Sequence, residues 1–205
     1  MKKWIVCLCG VALCVVSLGA QVRFGLGGGY ALATDSAYAG GFSFSGQIGF
    51  LIGRNFAIEL SGTYILKGDV TGTAAGLSQG SLSRIPLELS FQGRFPIGKI
   101  VPYVMAGAGY VLHTFDLDAS LVSQWSTVGF TIEEKVDNAF SAHFGAGVDF
   151  YITPMLAINL NAKYLLPFGA KGSWSLTDMG GTEASGTLDL KLGMIMFGTG
   201  VKFQF

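Results

Sequence analysis

The sequence predicts an all-β fold: an eight-stranded, antiparallel, transmembrane up-and-down β-barrel. Three observations carry the prediction. First, the last stretch, 195–205, alternates strictly. Ile195, Phe197, Val201, Phe203 and Phe205 fall on one face, with Gly198, Gly200, Lys202 and Gln204 between them. Such alternation gives a strand one apolar side, and the length suits a tilted strand crossing a bilayer, roughly 9–11 residues. Second, the rhythm recurs seven more times upstream. Third, 50% of the residues are apolar, yet beyond residue 20 no apolar run approaches the ~18 residues of a membrane-spanning helix. Strands that turn their apolar half to lipid reconcile these facts. The 31 glycines fit tight turns and a crowded interior better than a helical bundle, where each interior glycine costs about 1 kcal/mol.

The chain opens with two lysines, an apolar run and small residues. Residues 1–20 therefore read as a cleaved signal peptide, cut after Gly19 or Ala20, and 21–205 as one barrel domain. Cys7, Cys9 and Cys14 all lie in the leader, so no disulfide is expected in the mature chain. Thirteen basic and thirteen acidic residues balance. That leaves neither a nucleic-acid footprint nor a polybasic lipid patch.

The strands follow in order. The first sets Val22, Phe24, Leu26, Tyr30 and Leu32 against Arg23 and glycines. The second sets Phe42, Phe44, Ile48, Phe50 and Ile52 against Ser43, Ser45 and Gln47, and 53–55 is a tight turn. The third carries Phe56, Ile58, Leu60, Tyr64 and Leu66 outward, opposite Glu59. Residues 67–80, rich in Gly, Thr, Ala and Ser, read as a loop. The fourth shows Ile85, Leu87, Leu89, Phe91 and Phe95 against Glu88, Ser90, Gln92 and Arg94. The fifth, 101–115, is apolar on both faces and its orientation is unreadable. Residues 116–138 form the longest connection. The sixth sets Phe140, Phe144, Val148 and Phe150 against Ser141, His143 and Asp149; the seventh sets Leu156, Ile158, Leu160, Tyr164, Leu166 and Phe168 against Asn159, Asn161 and Lys163. After a loop over 169–186, the eighth begins near Thr187. Leu188, Leu190 and Leu192 there are opposite in parity to Ile195 onward, which reads as a bulge or as strand projecting beyond lipid. Short turns follow strands two, four and six, the periplasmic pattern of bacterial barrels.

Several motifs then resemble a known family. Residues 102–110 (PYVMAGAGY) resemble the fifth strand of OmpW-type outer-membrane proteins. Residues 144–150 (FGAGVDF) and 156–164 (LAINLNAKY) are similar to their sixth and seventh strands, and 196–205 to their ending. The resemblance implies an outer-membrane location and passive movement of small hydrophobic molecules through a narrow, largely apolar passage. The family's gate residues do not transfer, because 116–138 departs in composition.

An eight-stranded interior is just wide enough for side chains to fill. The inward polar set Glu59, Glu88, Gln92, Arg94, His143, Asp149, Asn159 and Lys163 therefore reads as a plug of mutually paired groups, since unpaired burial is costly. A polar pore is the other reading. Leu165, Met194 and Met196 face inward if Ile195 and Phe197 face lipid. They are candidates for an apolar upper lumen, methionine suiting variable apolar ligands. Tyr30, Tyr64, Tyr103, Tyr110, Tyr164 and Phe168 suit aromatic girdles. Val201, Phe203 and Phe205 resemble the terminal signal read by barrel-assembly machinery. Ser141 and His143, two apart, invite a hydrolase reading, but they face inward, away from lipid, so no catalytic residue is assigned. No cofactor or metal is expected; Gly25-x-Gly27 and Gly107-x-Gly109 lack the setting of a phosphate loop. The expected partners are outer-membrane lipid, the assembly machinery and small hydrophobic solutes. The rival reading is a surface or structural barrel whose loops bind host or envelope ligands.

Overall fold

The structure, a computed structural model, describes residues 21–36, 38–70 and 80–205. The leader expected over 1–20, and most of the loop expected over 67–80, lie outside the described residues. Eight strands close into a barrel: β1 (Gln21–Ala33), β2 (Gly41–Ile52), β3 (Phe56–Val70), β4 (Gly80–Arg94), β5 (Ile100–Leu117), β7 (Ala139–Thr153), β8 (Leu156–Phe168) and β11 (Met194–Gln204). Every barrel pairing is antiparallel, and β1 closes the cylinder on β11. The first and last barrel strands seal the seam, with Phe205 N–H donating to Val22 O at 2.9 Å and Val22 N–H to Phe205 O at 3.2 Å.

Parity decides what faces out. Phe42, Phe44, Leu89, Phe140 and Phe144 project from the wall, Phe140 at 72% exposure. A belt of such residues suits lipid and is far larger than the apolar patches soluble monomers tolerate. Outward aromatics pair across strands at Tyr30–Phe42, Tyr110–Phe140 and Phe144–Tyr164. Tyr103 departs from the expected girdle: it points into the barrel at 3% exposure. The neighbouring registers also orient β5, sending Val101, Tyr103, Met105, Val111 and His113 inward.

Two glycines of the family-like motifs are explained by close approach. A Cβ on Gly107 would sit 2.0 Å from Leu89 O and 2.7 Å from His143 Cε1; one on Gly147 would meet the Tyr103 ring at 2.5 Å. The β2–β3 and β4–β5 turns each place a glycine at positive φ, Gly53 at 67° and Gly98 at 62°, where a side chain is strained.

At the opposite end two of the connections carry regular structure of their own. After β5 a helix, α1 (Ala119–Thr127), is capped by Asp118, which accepts from Ser120 N–H and Ser120 Oγ–H, both at 2.9 Å. It leads into β6 (Phe130–Val136), which pairs with β9 (Lys171–Asp178), itself paired with β10 (Glu183–Asp189). These three strands form a separate sheet.

That sheet corrects two expectations. The loop over 169–186 contains strand, and barrel strand eight starts at Met194, not near Thr187. No bulge is involved. Leu188, Leu190, Leu192, Met194 and Met196 share one inward parity throughout. What changes along the chain is the polarity of the interior, so the inward residues turn apolar near the mouth and mimic a face reversal.

Candidate functional site

The barrel interior is layered along its axis. At the level of the short turns lies an ionic network centred on Asp149, which is fully buried. Its Oδ2 accepts from Arg23 Nη1 at 2.9 Å and from Arg94 Nη2 at 3.4 Å; its Oδ1 accepts from Asn159 Nδ2 at 2.8 Å and lies 3.3 Å from Lys202 Nζ. Arg23 Nη2 also reaches Glu59 Oε2 at 3.2 Å and Gln92 Oε1 at 3.0 Å. Arg94 donates to Tyr151 OH at 2.9 Å, and Tyr151 OH donates to Gln204 at 2.8 Å. Lys202 Nζ sits 4.9 Å from the Tyr103 ring centre, and Asn159 Nδ2 donates to Tyr103 OH at 2.9 Å. Charge assistance and low local dielectric strengthen such contacts, while making any unpaired member costly.

Above this, Glu88 pairs with Lys163, and its other oxygen lies 3.3 Å from His143 Nδ1. Ser90 Oγ is 2.8 Å from His143 Nε2. Serine, imidazole and carboxylate stand in the order of a hydrolytic triad. The Glu88–His143 contact fails as a hydrogen bond, since both atoms lack a partner by geometry, so nothing orients the imidazole as a base. Ser141 points inward beside them with its hydroxyl unpaired, and is not the serine that meets His143. A cavity of about 50 Å³ adjoins this level, lined by the polar Ser61, Thr63, Ser90 and Lys163 and by the apolar Met105 and Met196. It can take on the order of three waters and no drug-sized solute.

The structure thus brings all eight sequence-predicted polar residues into two successive layers, seven of them buried and Lys163 half-buried. It adds two cations that the sequence reading placed on the inward parity without including them: Arg23 and Lys202. Both lie near strand ends, where a charge is equally at home in a turn. Only the register, which sets Arg23 opposite Gln204 and Gly49, puts them at the centre.

Nearer the mouth the interior becomes apolar. Leu165, Met194 and Met196 come together with Ala31, Ile65 and Val111, each 8% exposed or less. A second cluster above gathers Tyr38, Val70, Leu82, Val136, Leu190 and Leu192. Beside the lower cluster the β3–β4 ladder is imperfect, although the two strands stay side by side in one register across the skipped pairs. The β3–β4 ladder runs to Gly62–Leu87, skips Thr63 and Tyr64 opposite Pro86 and Ile85, resumes at Ile65–Arg84, and shifts by one residue before Gly68–Leu82. Pro86 has no N–H to give its neighbour, whereas its other neighbour, β5, pairs without a break.

A closed antiparallel barrel with a lipid-facing belt and a filled interior defines a membrane β-barrel. The outer membrane protein beta-barrel domain family matches residues 5–203. The chain belongs to that family and is an outer-membrane protein, a small barrel of the kind its OmpW-type resemblance implied. Among solved structures, OprG of Pseudomonas aeruginosa is similar at TM-score 0.65 and 17% identity, covering 90% of this chain and 96% of that one. Neisserial surface protein A is similar at TM-score 0.58 and 14% identity, covering 91% and 97%. The N-terminal barrel domain of Pseudomonas aeruginosa OprF is similar at TM-score 0.52 and 17% identity, covering 90% and 97%. At these identities the likeness is one of fold. Comparison with curated protein sequences finds no match.

Proposed function

We propose that the barrel admits small hydrophobic molecules at its outer mouth and releases them sideways into the membrane. The observation that carries this reading is the break in the β3–β4 ladder directly beside the apolar cluster of Ile65, Val111, Leu165, Met194 and Met196. The solute would enter among the methionines and leucines, whose flexible side chains can re-pack around it. The ionic layers below act as a plug, so the route is a half-channel with a lateral door. Val201, Phe203 and Phe205 keep their proposed role in assembly, and residues 1–20 theirs in export.

The test is a reversible staple. Cysteine is absent after residue 14, so a Tyr64→Cys, Ile85→Cys pair would bridge the skipped positions. Proteoliposomes carrying lipopolysaccharide in the outer leaflet are given a small apolar dye. Uptake should exceed that of empty liposomes, fall on oxidation and return with reductant. Uptake equal to empty liposomes, or indifferent to the staple, rejects the lateral door.

One observation favours the rival surface reading: the connections from β5 to β7 and from β8 to β11 fold into a helix and a three-stranded sheet rather than remaining irregular. Deleting 124–136 should abolish binding of cells to host matrix if that platform is the functional part.

A further inference from the structure

We propose that Arg84 anchors the carboxylate of an amphipathic, hydrocarbon-tailed acid beside the irregular stretch of the β3–β4 ladder; this rests on the lateral-door reading and names its solute class. Arg84 points into the barrel at 4% exposure. The described residues include every Asp and Glu of the chain, and among them none forms an ion pair with it. Its guanidinium carbon lies 5.6 Å from the Tyr38 ring centre, and its Nε has no hydrogen-bond partner. The other deeply buried arginines, Arg23 and Arg94, both bind Asp149. A largely buried guanidinium with no carboxylate partner is costly, and its fork matches a carboxylate in shape.

Its position fits a headgroup anchor. Arg84 lies between the two apolar clusters, flanked on β4 by Leu82 above and Pro86 below, and it pairs with Ile65 at the edge of the ladder break. A carboxylate held there leaves its tail beside Ile65 and Val111, facing the door. Across the β4–β5 ladder Arg84 meets His113. The His113 Nδ1–H donates to Asp137 O at 3.0 Å, and Nε2 is left without a partner. His113 also lines a cleft of about 560 Å³ that includes Thr114, Lys135 and Asn138.

The experiment titrates the full barrel in nanodiscs of zwitterionic lipid with octanoate and with octan-1-ol, blanked against empty nanodiscs. The readout is the ratio of the two affinities within each protein. In the unsubstituted barrel octanoate should bind at least tenfold more tightly than the alcohol. Arg84→Gln should bring the ratio to about one, and Arg84→Lys should keep an intermediate preference. Equal binding of the two solutes by the unsubstituted barrel, or binding of neither, overturns the anchor. So does a preference that survives in Arg84→Gln. That comparison in the unsubstituted protein decides the matter even if neither variant folds. Staple-sensitive dye uptake with no carboxylate preference would remove the anchor and leave the lateral door; uptake like empty liposomes removes the door.

Discussion

Replacing Asp149 by Asn tests whether the polar interior holds the barrel together. Asp149 is the shared counter-charge of Arg23 at 2.9 Å, Lys202 at 3.3 Å and Arg94 at 3.4 Å. In the lower layer three cations face two carboxylates, Asp149 and Glu59. At an effective dielectric of about 20, each contact near 3 Å is a gross attraction on the order of 5 kcal/mol. Desolvation of the buried ions offsets most of it. Asp149→Asn leaves three cations against one carboxylate with the packing nearly unchanged. Removing one partner of a buried ionic group costs about 3–5 kcal/mol, and that is the loss expected here. Lys202→Met makes the complementary change. It leaves two cations against two carboxylates, and a methionine chain can lie on the Tyr103 ring that Lys202 now covers. Its cost should be smaller than that of Asp149→Asn, because each remaining charge keeps an opposite one beside it. The double variant should be less damaged than the sum, because its two charges interact directly. Guanidinium unfolding in zwitterionic micelles, followed by tryptophan fluorescence and by heat-modifiable migration, gives the three values. A loss for Asp149→Asn no larger than that for Lys202→Met would refute the network as the structural keystone.

Other outcomes follow from single contacts. Deleting Phe205 removes both seam hydrogen bonds to Val22; fractionation should find the chain in the periplasm, and undiminished outer-membrane levels would remove its role in assembly. Gly107→Val drives a side chain into Leu89 O and His143, so folded yield should collapse or stability fall by more than about 2 kcal/mol, read by heat-modifiable migration. The Asp118 carboxyl is held below the ordinary aspartate range because Ser120 N–H and the Ser120 hydroxyl donate to it. A depressed folded value means that the cap contributes fully above the ordinary pKa of about 4 and is lost as pH falls through the lower folded value. Amide exchange in the first turn of α1 should therefore accelerate on acidification through that window; exchange that shows no added step there would contradict the cap.

The alternation that made the wall legible rests on a strong local cause. A lipid-facing position admits almost nothing polar, so Phe42, Leu60, Leu89 and Phe144 announce their faces without any knowledge of partners. The inward polar set was readable for the same reason inverted: Glu59, Glu88 and Asp149 sit where only a barrel interior could take them. Three features were hidden because their cause is not local. The direction of β5 depends on Tyr103 and Met105 finding space opposite Gly147 and Gly145 on β7, which no single-strand pattern records. The sheet over β6, β9 and β10 joins segments about forty residues apart, and its short strands carry mostly charged, small polar and glycine residues. Arg84 shares the inward parity of Glu88, but it lies between the loop read over 67–80 and the strand whose alternation starts at Ile85, so no face was assigned to it. Its burial follows from Tyr38 folding over it from the first connection.

The order of these layers bears on why a solute would leave sideways. To pass straight down, a hydrophobic molecule would have to part Glu88 from Lys163 and then Asp149 from Arg23, Arg94 and Lys202. Each separation strands a charge in a water-poor interior, at several kcal/mol apiece. At the wall the barrier is of another kind. Two residue pairs already lack ladder bonds, Pro86 has no N–H to lose, and the groups to be displaced are Ile65, Tyr64 and Ile85, with lipid chains on the far side. Opening there exchanges apolar contacts for apolar contacts, and the net contribution of each backbone hydrogen bond at risk is only about 0.5–1.5 kcal/mol. On the proposed reading, the polar floor makes the downward step the dearer one, and the gap in the ladder sits at the level where the apolar cluster meets that floor. Filling the gap with hydrogen bonds by Pro86→Val should then slow uptake of the apolar dye while raising resistance to unfolding. A variant that takes up dye at the unsubstituted rate would break the link between the missing amide and the door.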